Sequence, residues 1–346
     1  MQELLDFGHR LLTGFFSPHR LMVRSGLVLV AIGGSGFGFQ VVAGDVSFSF
    51  NSASGLTWIN FTLVFSGLAL IAIGSLSAMR NADRRRVFAL QVQGLRHLPA
   101  TPLTDQVPAR IEGRRESWVL DLRSSLADGQ MLAPQVAANA IHAVPTGMMQ
   151  RADGRDPSDV SFVVAGLAPV PLLILLGYEI DDEFAVAVMD WDREKERWFE
   201  PATSKDKIEI NVSGLDAINE GTREAAISLS ISYGIRAEDV VRQIGNIPHV
   251  QIATPITDAS KLGHQEQIAK VWFDTMKDLQ ARGVDQLHLF IACPSSLAIM
   301  LGRRYDRRNL PNARIYQYDR SASSPYPWSV ELPQNDTPPK VRWHTK

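Results

Sequence analysis

Between Ser25 and Gly44 the chain carries 20 consecutive residues without a formal charge, and between Val46 and Met79 another 34. An α-helix rises about 1.5 Å per residue, so about 20 apolar residues cross roughly 30 Å of hydrocarbon. Residues 1–79 hold six formal charges (Glu3, Asp6, Arg10, Arg20, Arg24 and Asp45), whereas the rest of the 346-residue chain holds 66. The near-neutral total of 35 Lys+Arg against 37 Asp+Glu therefore averages two unlike parts. Leu21–Gly44 and Thr57–Met79 read as two transmembrane helices forming a hairpin. A cleaved signal peptide fits poorly, because the first apolar stretch is long and a second follows it at once.

The basic residues orient the hairpin. Arg10, Arg20 and Arg24 precede it, Arg80, Arg84, Arg85 and Arg86 follow it, and the loop between has no Lys or Arg. The positive-inside rule puts both termini in the cytoplasm, as in a multi-pass membrane protein. Gly34 and Gly38 form a small-xxx-small pair, and Gly67 and Gly74 lie two turns apart, so close helix packing is available; membrane helices are also glycine-rich for other reasons. No acidic or basic residue lies within Ser25–Gly44 or Thr57–Met79, which argues against a proton relay or a midplane transport site. The spans read as an anchor or a membrane disruptor. Ahead of them, residues 1–20 place Leu4, Leu5, Leu11, Leu12, Phe15 and Phe16 at helical spacing. That suits an amphipathic segment in the headgroup region, or equally a lead-in to the first span.

The remainder reads as cytosolic. Its single cysteine, Cys293, excludes an internal disulfide and fits a reducing compartment. Residues 80–115 read as a connector that holds one strand, suggested by the alternation of Val87–Arg96, followed by a proline-containing stretch at Leu98–Pro108. From 116 to 346, β-branched runs (Trp118–Leu122, Ser161–Ala165, Ala185–Met189, Ala226–Ser232, Val250–Thr254, Leu287–Ala292, Arg314–Tyr318) alternate with amphipathic ones (Gln130–Val144, Pro171–Tyr178, Ala237–Ile244, His264–Arg282, Ser295–Tyr305). Such alternation predicts an α/β fold with a parallel-type sheet. Two motifs recur at an offset of 127: Val163-Val164-Ala165-Gly166 matches Phe290-Ile291-Ala292-Cys293, and Trp191-Asp192-Arg193 matches Tyr318-Asp319-Arg320. The repeat predicts two copies of one βαβ unit, in halves of about 116–210 and 211–335.

Ligands of doubly wound sheets sit outside the carboxyl ends of the strands. The strand-to-helix turns at Gly166, Leu167 and Pro169 and at Cys293, Pro294, Ser295 and Ser296 are then candidate phosphate cradles. Two cradles about one cavity would suit a ligand with several phosphates and near-rotational symmetry. Arg193, Arg303, Arg304 and Arg320 are candidate cations, and Trp191, Trp198, Tyr233, Tyr318 and Trp328 candidate base-stacking rings. Taken singly, each has a plainer reading as solvated arginine or core aromatic. The net charge of −2 argues against long nucleic acid as a partner.

Catalysis finds little support. The eight histidines form no metal-binding pattern, so no metal site is expected. Gly33–Gly38 resembles a dinucleotide loop only superficially, because it lies inside an apolar span, and Ser35 lacks the G-x-S-x-G frame. Cys293, with no local base, reads as structural.

The run His288–Trp328 (HLFIACPSSLAIMLGRRYDRRNLPNARIYQYDRSASSPYPW) resembles the end of a SAVED domain, a pair of CARF-like Rossmann units. Gly94-Leu95-Arg96, Asp121-Leu122-Arg123, Asp181-Asp182-Glu183 and Asp190-Trp191-Asp192-Arg193 resemble the membrane-linked branch of that family. With two spans in front, the chain is similar over nearly its full length to two-transmembrane SAVED effectors of cyclic-oligonucleotide-based antiphage signalling (CBASS). The resemblance implies a cyclic di- or trinucleotide second messenger as ligand and no cofactor. It also implies homo-oligomerisation on activation, and disruption of the lipid bilayer that ends in cell death. A membrane-anchored nucleotide-cleaving enzyme and a two-span protein-interaction scaffold are the rival readings.

Overall fold

Helix α1 spans Pro18–Gly34, strands β1 (Gln40–Ala43) and β2 (Val46–Ser49) form an antiparallel hairpin, and helix α2 spans Thr57–Arg84. These elements belong to the first of two compact units, Met1–Arg85 and Arg86–Lys346. The computed structural model describes residues 18–34, 40–43, 46–49, 57–95, 101–127, 130–181, 184–255, 261–334 and 337–344. The segment expected at 1–20 lies almost wholly outside them.

The first expected span is corrected. Leu21–Gly44 is not one helix: α1 stops at Gly34, and Val41 and Val42 belong to a strand. Each glycine costs a helix about 1 kcal/mol relative to alanine, and Gly33, Gly34, Gly36 and Gly38 crowd this point, ahead of β-branched residues that suit strands. Among the described residues one helix is long and apolar enough to cross a membrane, through the 20-residue segment Trp58–Ser77 of α2; the apolar part of α1, Leu21–Gly33, is shorter.

The two helices pack through glycines. A Cβ on Gly26 would stand 2.5 Å from the Gly67 carbonyl oxygen, and one on Gly67 would stand 2.6 Å from the Gly26 oxygen. One turn-pair along, a Cβ on Gly33 would meet Asn60 and Leu63 at 2.9 Å. Gly74, seven residues after Gly67, is also buried. On α1 the glycines described in this contact are Gly26 and Gly33; Gly34 is its last residue, and Gly38 lies outside the described residues. Close backbone approach of this kind is how helices associate where burial of apolar surface gives no gain.

The second unit begins with β3 (Arg86–Gln93), followed by α3 (Leu103–Gln106) and β4 (Arg114–Asp121). A small hairpin, β5 (Leu126–Ala127) and β6 (Gln130–Met131), precedes α4 (Pro134–His142) and α5 (Val144–Ala152). Then come β7 (Val160–Leu167), α6 (Val170–Ile180) and β8 (Val186–Val188). The sheet runs β4-β3-β7-β8, all parallel. Residues 80–115 are thus no connector, because β3 lies in the middle of this sheet, paired on both sides and almost wholly buried. The helix expected at Gln130–Val144 is shortened to α4, since its first residues form β6 and Pro145 starts a new helix.

An antiparallel pair, β9 (Asp190–Asp192) and β10 (Arg197–Phe199), leads into the second sheet. That sheet contains β11 (Asn211–Ser213), β12 (Glu224–Ser230), β13 (His249–Ala253), β14 (Gln286–Ala292), β15 (Asn312–Gln317), β16 (Trp328–Glu331) and β17 (Lys340–Trp343). Helices α7 (Ala237–Ile244), α8 (Leu262–Ala281) and α9 (Ser295–Arg303) connect its parallel strands. Its order is β11-β13-β12-β14-β15-β16-β17, with β13-β12-β14-β15 parallel and the flanking strands antiparallel. By order of appearance, the parallel strands of both sheets follow the same 2-1-3-4 sequence. Leu90, Phe162 and Val164 of the first sheet share one core with Ile227, Leu289 and Ile315 of the second. Helix α6 buries ten of its eleven residues there, at about 1.5–3 kcal/mol for each large apolar side chain, which makes it a fixed reference for the loops around it.

Candidate functional site

The carboxyl ends of the parallel strands carry most of the expected residues. Leu167 ends β7 and Cys293 follows β14, and Pro169 and Pro294 precede α6 and α9. The loops of the two sheets meet on this side, where Gln130 Nε2 donates to Ser321 Oγ at 3.0 Å.

Neither expected cradle is an open anion site. At α9 the carboxylate of Asp190 takes the place of an anion. It accepts from Ser296 Oγ (2.8 Å), from the Trp191 N–H (2.9 Å) and from the Ser296 N–H. Gln265 Nε2 donates to Ser296 Oγ at 2.8 Å, completing a buried chain. A carboxylate at a helix N-terminus satisfies free N–H groups and the positive end of the dipole. Burial pushes the Asp190 carboxyl above its ordinary range, and its hydrogen bonds pull back. At α6, Pro169 and Pro171 contribute no N–H. Gly166 is no cradle residue either, because a Cβ there would stand 2.6 Å from Leu173 Cδ2: it is a strand residue that lets α6 approach.

The aromatic candidates divide by burial. Trp198 and Trp328 are 3% and 2% exposed and serve the core. Trp191 packs edge-on against Trp198, ring centroids 5.0 Å apart. Tyr233 and Tyr318, by contrast, are 50% and 36% exposed with centroids 5.9 Å apart, and Tyr326 lies 5.8 Å from Tyr318. Tyr233 follows β12 and Tyr318 follows β15, so an accessible ring pair stands at the carboxyl ends of the second sheet.

The arginines divide likewise. Arg303 is not a free cation: its guanidinium donates to the carbonyl oxygens of Asp181 (2.9 Å), Phe184 (3.2 Å) and Val186 (3.5 Å) along the open edge of β8. Arg304 is exposed and lines a cavity of about 630 Å³ with Arg110, Glu200, Val188 and Met300. Arg193 and Arg320 are exposed in turns whose aspartates, Asp192 and Asp319, accept backbone N–H groups at 3.0 and 2.8 Å.

Burial, and then Asp190, push the Cys293 thiol far up, so it is neutral and a poor nucleophile. Ser295 is half-buried at the start of α9. Among the described residues no group of three His, Cys, Asp or Glu side chains is arranged to hold a metal. Asp190 and Gln265 were missed by sequence reasoning. The available signal was a carboxylate one residue before the Trp191-Asp192-Arg193 motif, at the end of a strand.

Residues 147–332 match the profile described as "SMODS-associated and fused to various effectors sensor domain", abbreviated SAVED. Residues 16–138 match the "SAVED-fused 2TM effector domain". The chain belongs to the SAVED sensor family, with a membrane effector domain fused in front. The comparison with curated proteins finds no match.

Among solved structures, the Acinetobacter baumannii Cap4 SAVED/CARF-domain containing receptor with the cyclic trinucleotide 2'3'3'-cAAA aligns at 12% identity, with a TM-score of 0.48. The alignment covers 78% of this chain and 58% of that one. The Moraxella osloensis Cap4 receptor aligns at 15% identity and a TM-score of 0.46, over 80% of this chain and 58% of its own. The chain thus spans less than three fifths of the length of these receptors.

Proposed function

We propose that this protein is a cyclic-oligonucleotide sensor whose ligand, a cyclic di- or trinucleotide, controls a membrane effector in antiphage defence. The observation that carries this reading is the pair of parallel sheets with identical strand order, joined through one core and presenting their carboxyl ends on one side. We read them as two fused CARF-like Rossmann units, the first starting at Arg86. Ligands of such sheets bind at the carboxyl ends, and a pseudo-symmetric pair suits a pseudo-symmetric ligand. The family's description as a sensor fused to a two-span effector supports a binding role.

In this reading Tyr233 and Tyr318 stack on bases, while the exposed Arg193 and Arg320 meet the phosphates of the ring. Binding drives assembly of several copies, and the two N-terminal helices, with both chain ends cytoplasmic, then compromise the inner membrane. The charge balance does not suit long nucleic acid. Thermal-shift and calorimetric titration of the full chain in detergent with a panel of cyclic di- and trinucleotides tests it. Saturable binding without turnover is expected, and no response to any member of a broad panel overturns the sensor reading.

A further inference from the structure

The starts of β3 and β4 lie side by side. Arg86 and Arg114 are direct cross-strand partners, and Arg115 pairs with Val87. Like charges directly opposite are destabilising in a sheet. Glu116 compensates Arg86 at 3.3 Å, but Arg114 is exposed with no ion pair among the described residues. Arg115 only donates to the Thr104 carbonyl (3.1 Å). Residues 80–116 hold eight arginines and four acidic residues, a net charge of +4 in a chain whose total is −2.

Chain connectivity says what opposes this charge. The apolar segment ends at Ser77, α2 continues seven residues to Arg84, and Arg85 alone precedes β3. Seven helical residues rise about 10 Å, roughly the depth of the headgroup layer plus its margin. One further residue adds only about 3.8 Å per Cα step, so a short tether holds the start of β3 near the lipid surface, within about one Debye length.

We propose that Arg86, Arg114 and Arg115 form a docking surface for anionic phospholipid headgroups. It fixes the first sheet against the inner leaflet before any ligand arrives. The partner is the phosphate of a membrane lipid and not a soluble nucleotide, because these strand starts lie at the opposite end of the sheet from the carboxyl-end loops. The inference is independent of what the sensor binds.

Hydrogen–deuterium exchange on the full chain in nanodiscs tests it, comparing phosphatidylcholine alone with phosphatidylcholine plus phosphatidylglycerol, without ligand. Exchange of peptides covering residues 108–118 should slow by about fivefold or more with phosphatidylglycerol, the size of one basic residue's headgroup attraction, and recover at high salt. The R114E/R115E variant should lose the difference and R114K/R115K should keep it, with exchange in β12 and β14 unchanged in both as the folding control. Equal exchange in the two lipids, or a phosphatidylglycerol effect that survives R114E/R115E, overturns the proposal. An effect in this segment that appears only when soluble glycerophosphate is added to neutral nanodiscs also overturns it, since the site would then read free phosphate.

Discussion

Gly177 of α6 and Gly302 of α9 let the two helices cross backbone to backbone. A Cβ on Gly177 would overlap the Ile299 carbonyl oxygen and stand 2.9 Å from Arg303 N, and one on Gly302 would overlap the Ile174 oxygen and stand 2.8 Å from Tyr178 N. The contact is reciprocal, each glycine meeting the residue three before the other. Overpacking a tight interior costs about 1–3 kcal/mol, and here the obstacle is backbone, which cannot swing aside. Gly177→Ala and Gly302→Ala should each lower unfolding stability in urea by at least that much. A change below about 0.5 kcal/mol, the scatter of neutral surface substitutions, would show that the helices slide apart freely.

Asp190 makes a pH prediction. Burial raises its folded-state pKa above the ordinary 3.8, so between 3.8 and that raised value the folded state binds more protons than the unfolded chain. Its contribution to stability therefore falls as pH rises through this window and is constant above it. Asp190→Asn keeps an acceptor for Ser296 but cannot ionise. Relative to wild type, the variant should gain stability steadily from about pH 4 upward and then level off. Parallel stability curves for the two proteins would remove Asp190 as a titrating group.

Much of this architecture was legible locally. The alternating segments led to the right strands because β7 and β14, with the helices after them, are each continuous in sequence. What was not legible depends on distant pairing. Composition makes 80–115 look like a connector, and only β7, more than sixty residues later, makes β3 a central strand. The α9 cradle looked open because the carboxylate that fills it lies 106 residues away, and Arg303 looked free because its carbonyl partner at Asp181 is 122 residues away. Gly26 escaped notice because spacing alone does not say which glycine faces the partner helix.

The membrane helices give a positional prediction. Gly26→Leu and Gly67→Leu each drive a side chain into the opposing backbone, whereas Gly34→Leu lies at the end of α1. The first two should abolish ligand-dependent dye release from liposomes while leaving ligand affinity within about twofold, because the sensor unit has its own core. Unimpaired release by both variants would show that the glycine contact plays no part in the active state.

Cys293 offers a chemical check on the site. Burial and the Asp190 carboxylate both disfavour the thiolate, so a thiol-specific disulfide reagent at pH 8 should label native protein at least about tenfold more slowly than unfolded protein. Rapid native labelling would mean that the thiolate is accessible at the carboxyl ends of the strands.

The ring pair at the end of the second sheet separates a ligand platform from core aromatics. Tyr233 and Tyr318 present open faces, whereas Trp328 is fully enclosed in β16. Base–aromatic stacking is worth about 1–3 kcal/mol per base, which corresponds to about 5- to 150-fold in affinity. Tyr233→Ala and Tyr318→Ala should each weaken cyclic-oligonucleotide binding within that range by calorimetry, with little change in the unfolding midpoint. The Phe variants should bind nearly as wild type, since the ring face and not the hydroxyl makes the contact. Trp328→Phe should do the reverse, lowering stability through the cavity it leaves while sparing affinity. If the alanine variants bind as wild type, the platform is not part of the ligand site. The base contacts would then have to come from the first sheet's loops around Leu95 and Leu167.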